Sequence, residues 1–130
     1  MKFMLLQHYG RVEGDVPPMT EWKPEDVQAH IQFQKDLNAE LQERGELVDA
    51  QGLAGPDLAK IVLATDGAPA VTDGPFAEAK EFLAGYRMVD VESEERAIEI
   101  AAQSSEGPGF NGVPLRQQIE VRQVMGAPEP

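Results

Sequence analysis

A chain of 130 residues with 42% hydrophobic residues and no cysteine suits one globular domain; disulfides, thiol catalysis and cysteine-ligated zinc are excluded. Its 23 acidic residues against 11 basic ones give a net charge of −12, a field that repels nucleic acid and anionic membranes. The basic residues are scattered and no apolar run is long enough to span a bilayer, so no nucleic-acid or membrane partner is expected and a cytoplasmic location is the default.

Residues 2–9 read as a strand. Phe3, Leu5, Gln7 and Tyr9 share one face and Met4, Leu6 and His8 the other, and both faces are mostly apolar, as in an interior strand. A polar loop with Pro17-Pro18 leads to a helix that starts at Pro24, carries Glu25 and Asp26 in its positive first turn, and stops at Gly45. Val27, Ile31, Leu37 and Leu41 form its apolar stripe. Residues 47–53 and 58–65 read as strands around Gly55-Pro56-Asp57, and residues 69–72 as a short extended piece.

The stretch Thr72-Asp73-Gly74-Pro75-Phe76-Ala77-Glu78-Ala79-Lys80-Glu81 dictates a turn, since glycine frees the backbone and proline removes a donor. Residues 82–91 form the next strand, with Phe82, Ala84, Tyr86 and Met88 on one face. Ser93 caps a second helix whose buried side is Ala97, Ile98 and Ala101. A glycine- and proline-rich loop and a last strand at 119–124 follow; the domain spans 1–125, with 126–130 a frayed tail.

This order of strands and helices matches the ferredoxin-like pattern. Two helices cover only one face of such a sheet, so the other face, with Met4 and Leu6 or Phe3 and Leu5, is expected to pack against a second copy in a homodimer.

Helical phase places His30 and Gln34, four residues apart, near the middle of the core-facing stripe. Buried polar groups need partners, which leaves two readings: a polar site between helix and sheet with His30 as acid or base, or a satisfied core histidine on a helix rotated so that both residues reach its rim. His8, at a strand end, is either a second acid/base candidate or simply a polar residue of a strand end or dimer seam. Asp73 and Glu78 flank Phe76, either organising the turn or standing at a cleft edge. Asp49 shares its strand face with Leu47 and Leu53, and Arg87 shares its own with Leu83, Val89 and Val91. Charges in such company pair or function, and an Asp49–Arg87 pair is one option. The spacing of His8, His30, Asp49 and Asp73 fits no metal motif, the glycine patterns lack the context of a phosphate loop, and no Gly-x-Ser-x-Gly is present; neither metal nor cofactor is expected.

The run from Thr72 through Tyr86 resembles the signature of the YCII-related (DGPF) family, and the opening strand, the helix ending at Gly45 and Val48-Asp49-Ala50-Gln51-Gly52-Leu53 also fit it. The resemblance implies a ferredoxin-like, dimeric α+β barrel, the fold of muconolactone isomerases and small cofactor-free monooxygenases. It also implies a histidine–aspartate acid/base pair: His30 is the best match for the histidine, and Asp49 or Asp73 for the aspartate. Related domains accompany sigma-factor systems, which implies a regulatory role as the alternative. The combined expectation is a cofactor-free acid/base enzyme acting on a small organic molecule in a barrel cleft. His30 would transfer the proton, Asp49 or Asp73 orient it, and Gln34 and Arg87, with His8 and Glu78 nearby, bind the substrate. The alternative is a non-catalytic small-molecule-binding module.

Overall fold

In chain order the elements are β1 (Lys2–Tyr9), α1 (Pro24–Glu43), β2 (Leu47–Gly52), β3 (Lys60–Leu63), β4 (Ala70–Asp73), β5 (Phe82–Asp90), α2 (Glu94–Ser105) and β6 (Ile119–Gln123). Short 3-10 turns lie at Met19–Glu21, Pro56–Leu58 and Phe110–Gly112. The computed structural model describes residues 1–9, 16–74 and 82–128.

The apolar β1 lies inside a four-stranded antiparallel sheet of order β2-β5-β1-β6. Alternation along the strands sorts the two faces. Phe3 and Leu5 on β1, Val89 on β5 and the adjoining Val91 are buried, whereas Met4, Leu6, Tyr86 and Met88 are half-exposed. The buried set packs with Leu37 and Leu41 of α1 and Ala97, Ile100 and Ala101 of α2, so the core lies between the helices and one sheet face. Among the described residues β2 and β6 end the sheet as free edges, so this α+β chain does not close into a barrel.

The helix ends follow their sequence signals. Pro24 opens α1, with Glu25 and Asp26 in its first turn. At the other end Gly45 takes φ +73° while Glu46 N–H donates to Leu41 O (2.8 Å) and Gly45 N–H to Gln42 O (3.0 Å), a Schellman closure that turns the chain into β2. The Ser93 hydroxyl accepts from Arg96 N–H (3.2 Å) at the start of α2. Arg96 then reaches the Glu46 carboxylate with two bonds of 2.9 Å, joining α2 to the α1–β2 junction.

Two helix residues depart from the expected stripes. Ile31 is 45% and Ile98 52% exposed. On α1 the inward positions are Val27, His30, Phe33, Gln34, Leu37, Asn38 and Leu41, a phase that leaves Ile31 at the rim; on α2 Ile100 takes the inward place expected of Ile98.

The segment after β2 also differs from expectation. Residues 56–58 form a 3-10 turn, and β3 pairs with β4 in a separate ribbon rather than joining the main sheet. Its Val62, Leu63 and Val71 are each at least 59% exposed.

Two irregularities re-aim side chains. The β2–β5 register shifts between Leu47 and Asp49: Leu47 lies opposite Val89 and packs on the core, but Asp49 lies opposite Met88, on the other face. An extra residue in one strand has this effect because side chains alternate with period two. Asp49 therefore does not share the face of Leu47, contrary to the simple alternation. The same register sets Ala50, not Asp49, opposite Arg87, which rules out the Asp49–Arg87 pair. A second shift falls between Gln7 and His8. Gly85 permits the close approach of β2: a Cβ there would lie 2.7 Å from the Gln51 carbonyl oxygen.

Candidate active site between helix and sheet

Arg87 follows the inward parity of Val89 and Val91 and is only 3% exposed. Its guanidinium is met by neutral oxygens: Nε donates to Asn38 Oδ1 (2.7 Å), Nη1 to Ser104 Oγ (3.0 Å) and Nη2 to Gln34 Oε1 (2.8 Å). Gln7 Nε2 also donates to Ser104 Oγ (3.1 Å), so four elements meet in one polar network. Among the described residues no carboxylate forms an ion pair with Arg87. Burial without a counter-charge lowers its pKa to about 10, so it is cationic at neutral pH. A cavity of about 180 Å³ opens beside it, with Gln34, Asn38 and Gln51 also in the wall.

One turn before Gln34 on α1, half-buried His30 faces the loop that follows α2. Its Nδ1 lies 2.9 Å from the Pro108 carbonyl oxygen. A carbonyl only accepts, so Nδ1 carries the hydrogen and, in the neutral ring, Nε2 carries the lone pair. The Trp22 ring packs edge-on at 5.9 Å, and its own Nε1–H donates to Pro17 O (2.8 Å). Asn111 N–H donates to Asp26 Oδ2 (3.0 Å), tying the same loop to the start of α1. His30 and Trp22 line a second cavity of about 470 Å³, whose apolar wall includes Met19, Leu53 and Leu115.

The other expected site residues lie elsewhere. Asp49 accepts from the Tyr86 hydroxyl (2.8 Å), from Gln51 Nε2 (3.1 Å) and from Ala50 N–H (2.9 Å). The Tyr86 bond, with these neighbours, holds the Asp49 carboxyl below its ordinary range and pushes the Tyr86 phenol above its own. His8 Nε2 is 3.9 Å from Glu120 Oε1, and its buried Nδ1 has no hydrogen-bond partner among the described residues. Asp73 is an exposed residue of the ribbon, paired with Lys60. Glu78 lies outside the described residues. Thus Gln34 and Arg87 come together, His30 lines the neighbouring cavity one turn before Gln34, and among the described residues no hydrogen bond joins His30 to Asp49 or Asp73. No described group of three or more histidine, aspartate or glutamate side chains is arranged to hold a metal ion.

Sequence reasoning missed Trp22, Asn38, Ser104 and Gln7. Asn38 was open to it: it lies one turn beyond Gln34 on the same helical face. Trp22 carried a signal too, as the single tryptophan of the chain set in a proline-bearing loop.

An α+β domain with a polar network and a half-buried histidine between helix and sheet is the class that fold and site define. The model of the YCII-related domain family matches residues 1–113, and the chain belongs to that family. No curated protein matches it. No described helix is long and apolar enough to cross a membrane.

Proposed function

We propose that this YCII-related domain binds a small organic molecule between α1 and the sheet and transfers a proton on it without a cofactor, His30 acting as the acid/base group. The observation that carries the reading is His30 itself: it stands in the wall of a 470 Å³ cavity with Nδ1 committed to the Pro108 carbonyl. A ring oriented in this way offers Nε2 as the proton acceptor. The Pro108 carbonyl takes the orienting part that the family resemblance gives to an aspartate. Gln34, one turn further along α1, and Arg87, which bonds it from β5, supply polar and cationic contacts.

Incubation with candidate ligands in D2O, followed by proton NMR, tests the reading. The wild type should wash deuterium into a carbon position or shift a double bond of a bound compound, and His30→Ala should bind the compound and lose that activity. Equal turnover by the variant would remove His30 from the chemistry.

A second reading, a non-catalytic binding or regulatory module of the kind found with sigma-factor systems, draws support from His30: among the described residues its hydrogen bond is to a backbone carbonyl and not to a carboxylate. It predicts ligand-dependent thermal stabilisation with no chemical change in the ligand.

The sheet order supports a ferredoxin-like arrangement, and the half-exposed Met4, Leu6, Tyr86 and Met88 support a homodimer packed sheet to sheet, which would complete an α+β barrel. Leu6→Asp should then give a monomer in light scattering; a wild type that is monomeric at high concentration would end this reading.

A further inference from the structure

We infer that the ligand is a monocarboxylic acid with an apolar body, its carboxylate at Arg87 and its body against Trp22 and Leu53. This rests on the reading of the α1–sheet space as a binding site and names what that site takes. The two cavities share Gln7 and Gly52 in their walls, so they adjoin. Their linings differ in kind. The smaller holds one guanidinium among neutral amide side chains, and the larger is walled mainly by apolar side chains. A molecule filling both has a small charged end and a larger apolar end.

The charged end is set by Arg87. Its three bonds use one N–H on each nitrogen, which leaves one on each terminal nitrogen of a group with five N–H donors in all. Two N–H groups on a planar fork suit the two oxygens of a carboxylate. Among the described residues this buried cation is held only by neutral oxygens and lacks the counter-charge that buried ions normally have, and a bound anion supplies it. Arg87 is the single charged residue among the described residues of the smaller cavity's wall, so one negative charge balances it. A phosphate dianion would leave a negative charge unmatched within a protein of net charge −12.

The body is set by the larger cavity. Its 470 Å³ falls within the roughly 300–1,000 Å³ of small-molecule sites. The described wall offers the side chains of Trp22, Met19, Leu53 and Leu115, with His30 in the same wall. An aryl or branched alkyl group suits that apolar wall.

Isothermal titration of the wild type with phenylacetate, phenylacetamide, acetate and inorganic phosphate tests the inference. Phenylacetate should bind about tenfold or more tightly than either phenylacetamide or acetate, and phosphate should not compete with it. Arg87→Met should bring phenylacetate down to the level of phenylacetamide. Equal affinity for the amide would overturn the anion site, equal affinity for acetate the apolar site, tighter phosphate binding the single charge, and no binding at all the whole assignment. The wild-type comparison decides these points even where Arg87→Met fails to fold. Phenylacetate binding that survives in His30→Ala supports the ligand class whether or not any compound is turned over, so failure of proton transfer and failure of this assignment give different results.

Discussion

Replacing Arg87 by methionine separates a structural arginine from a functional one. Removing one member of a buried ion pair usually costs about 3–5 kcal/mol, because an uncompensated charge stays behind. Arg87 has no ion-pair partner among the described residues, so its loss strands no charge there. Burial lowers its pKa to about 10, a drop worth about 3 kcal/mol of penalty on the charged form, and methionine relieves it. Against this stand three lost bonds to the guanidinium, each worth roughly 1.5–3 kcal/mol when the donor is charged. Part of that loss is recovered: Ser104 Oγ keeps its bond from Gln7, and Gln34 and Asn38 border a cavity that admits water. The net destabilisation should stay below about 4 kcal/mol, or a fall in Tm of less than roughly 16 °C for a chain of this size. Urea unfolding of both proteins at pH 7, with the slopes compared, measures it. A loss of more than about 4 kcal/mol would refute the argument and make Arg87 a keystone of the fold.

Other outcomes follow from neighbouring contacts. The Arg96 guanidinium bonds the Glu46 carboxylate and holds it below the usual glutamate range, so the pair's stabilisation is present above the unfolded-state pKa of about 4.3 and fades as pH falls through the lower folded value. Glu46→Gln should accordingly be less stable than wild type by roughly 1–2 kcal/mol at pH 7, and the gap should narrow in strongly acidic urea melts; a gap independent of pH would contradict this. Gly85→Ala puts a methyl 2.7 Å from the Gln51 carbonyl oxygen and should destabilise by about 1–3 kcal/mol, with loss of hydrogen-exchange protection along β2; wild-type stability would show that the strands part freely. The Tyr86 phenol, raised by its bond to Asp49, should titrate above the ordinary tyrosine value in the ultraviolet and move back towards it in Asp49→Asn. An unmoved phenol titration in that variant would mean the bond is absent in solution.

Much of this arrangement was legible along the chain. Pro24 and Gly45 bounded α1 because their backbone preferences act locally, and the alternation in β1 set Phe3 with Leu5 and Met4 with Leu6, but two apolar faces did not tell which pair is core; the structure buries Phe3 and Leu5. His30 and Gln34 drew notice for their helical phase, and Arg87 for its apolar company; all three lie between helix and sheet. What failed depended on pairing between distant segments. The shift at Leu47/Asp49 cannot be seen in β2 alone, and it sends Asp49 to the face of Tyr86. Asp73 sits on a ribbon whose partner, β3, was read as a strand following β2 rather than as the mate of β4. Asn38 and Ser104 are small polar residues whose part appears only once α1 and α2 close over Arg87.

The central claim is that the space between α1 and the sheet receives a small acid. Titrating nitrogen-15-labelled protein with phenylacetate tests it most directly, by following the Arg87 Nε–H, the Gln34 side-chain amide and the Trp22 Nε1–H. Saturable shifts at all three, with one dissociation constant, are expected. Shifts confined to the outer sheet face, around Tyr86 and Met88, or no shifts at all, would contradict it.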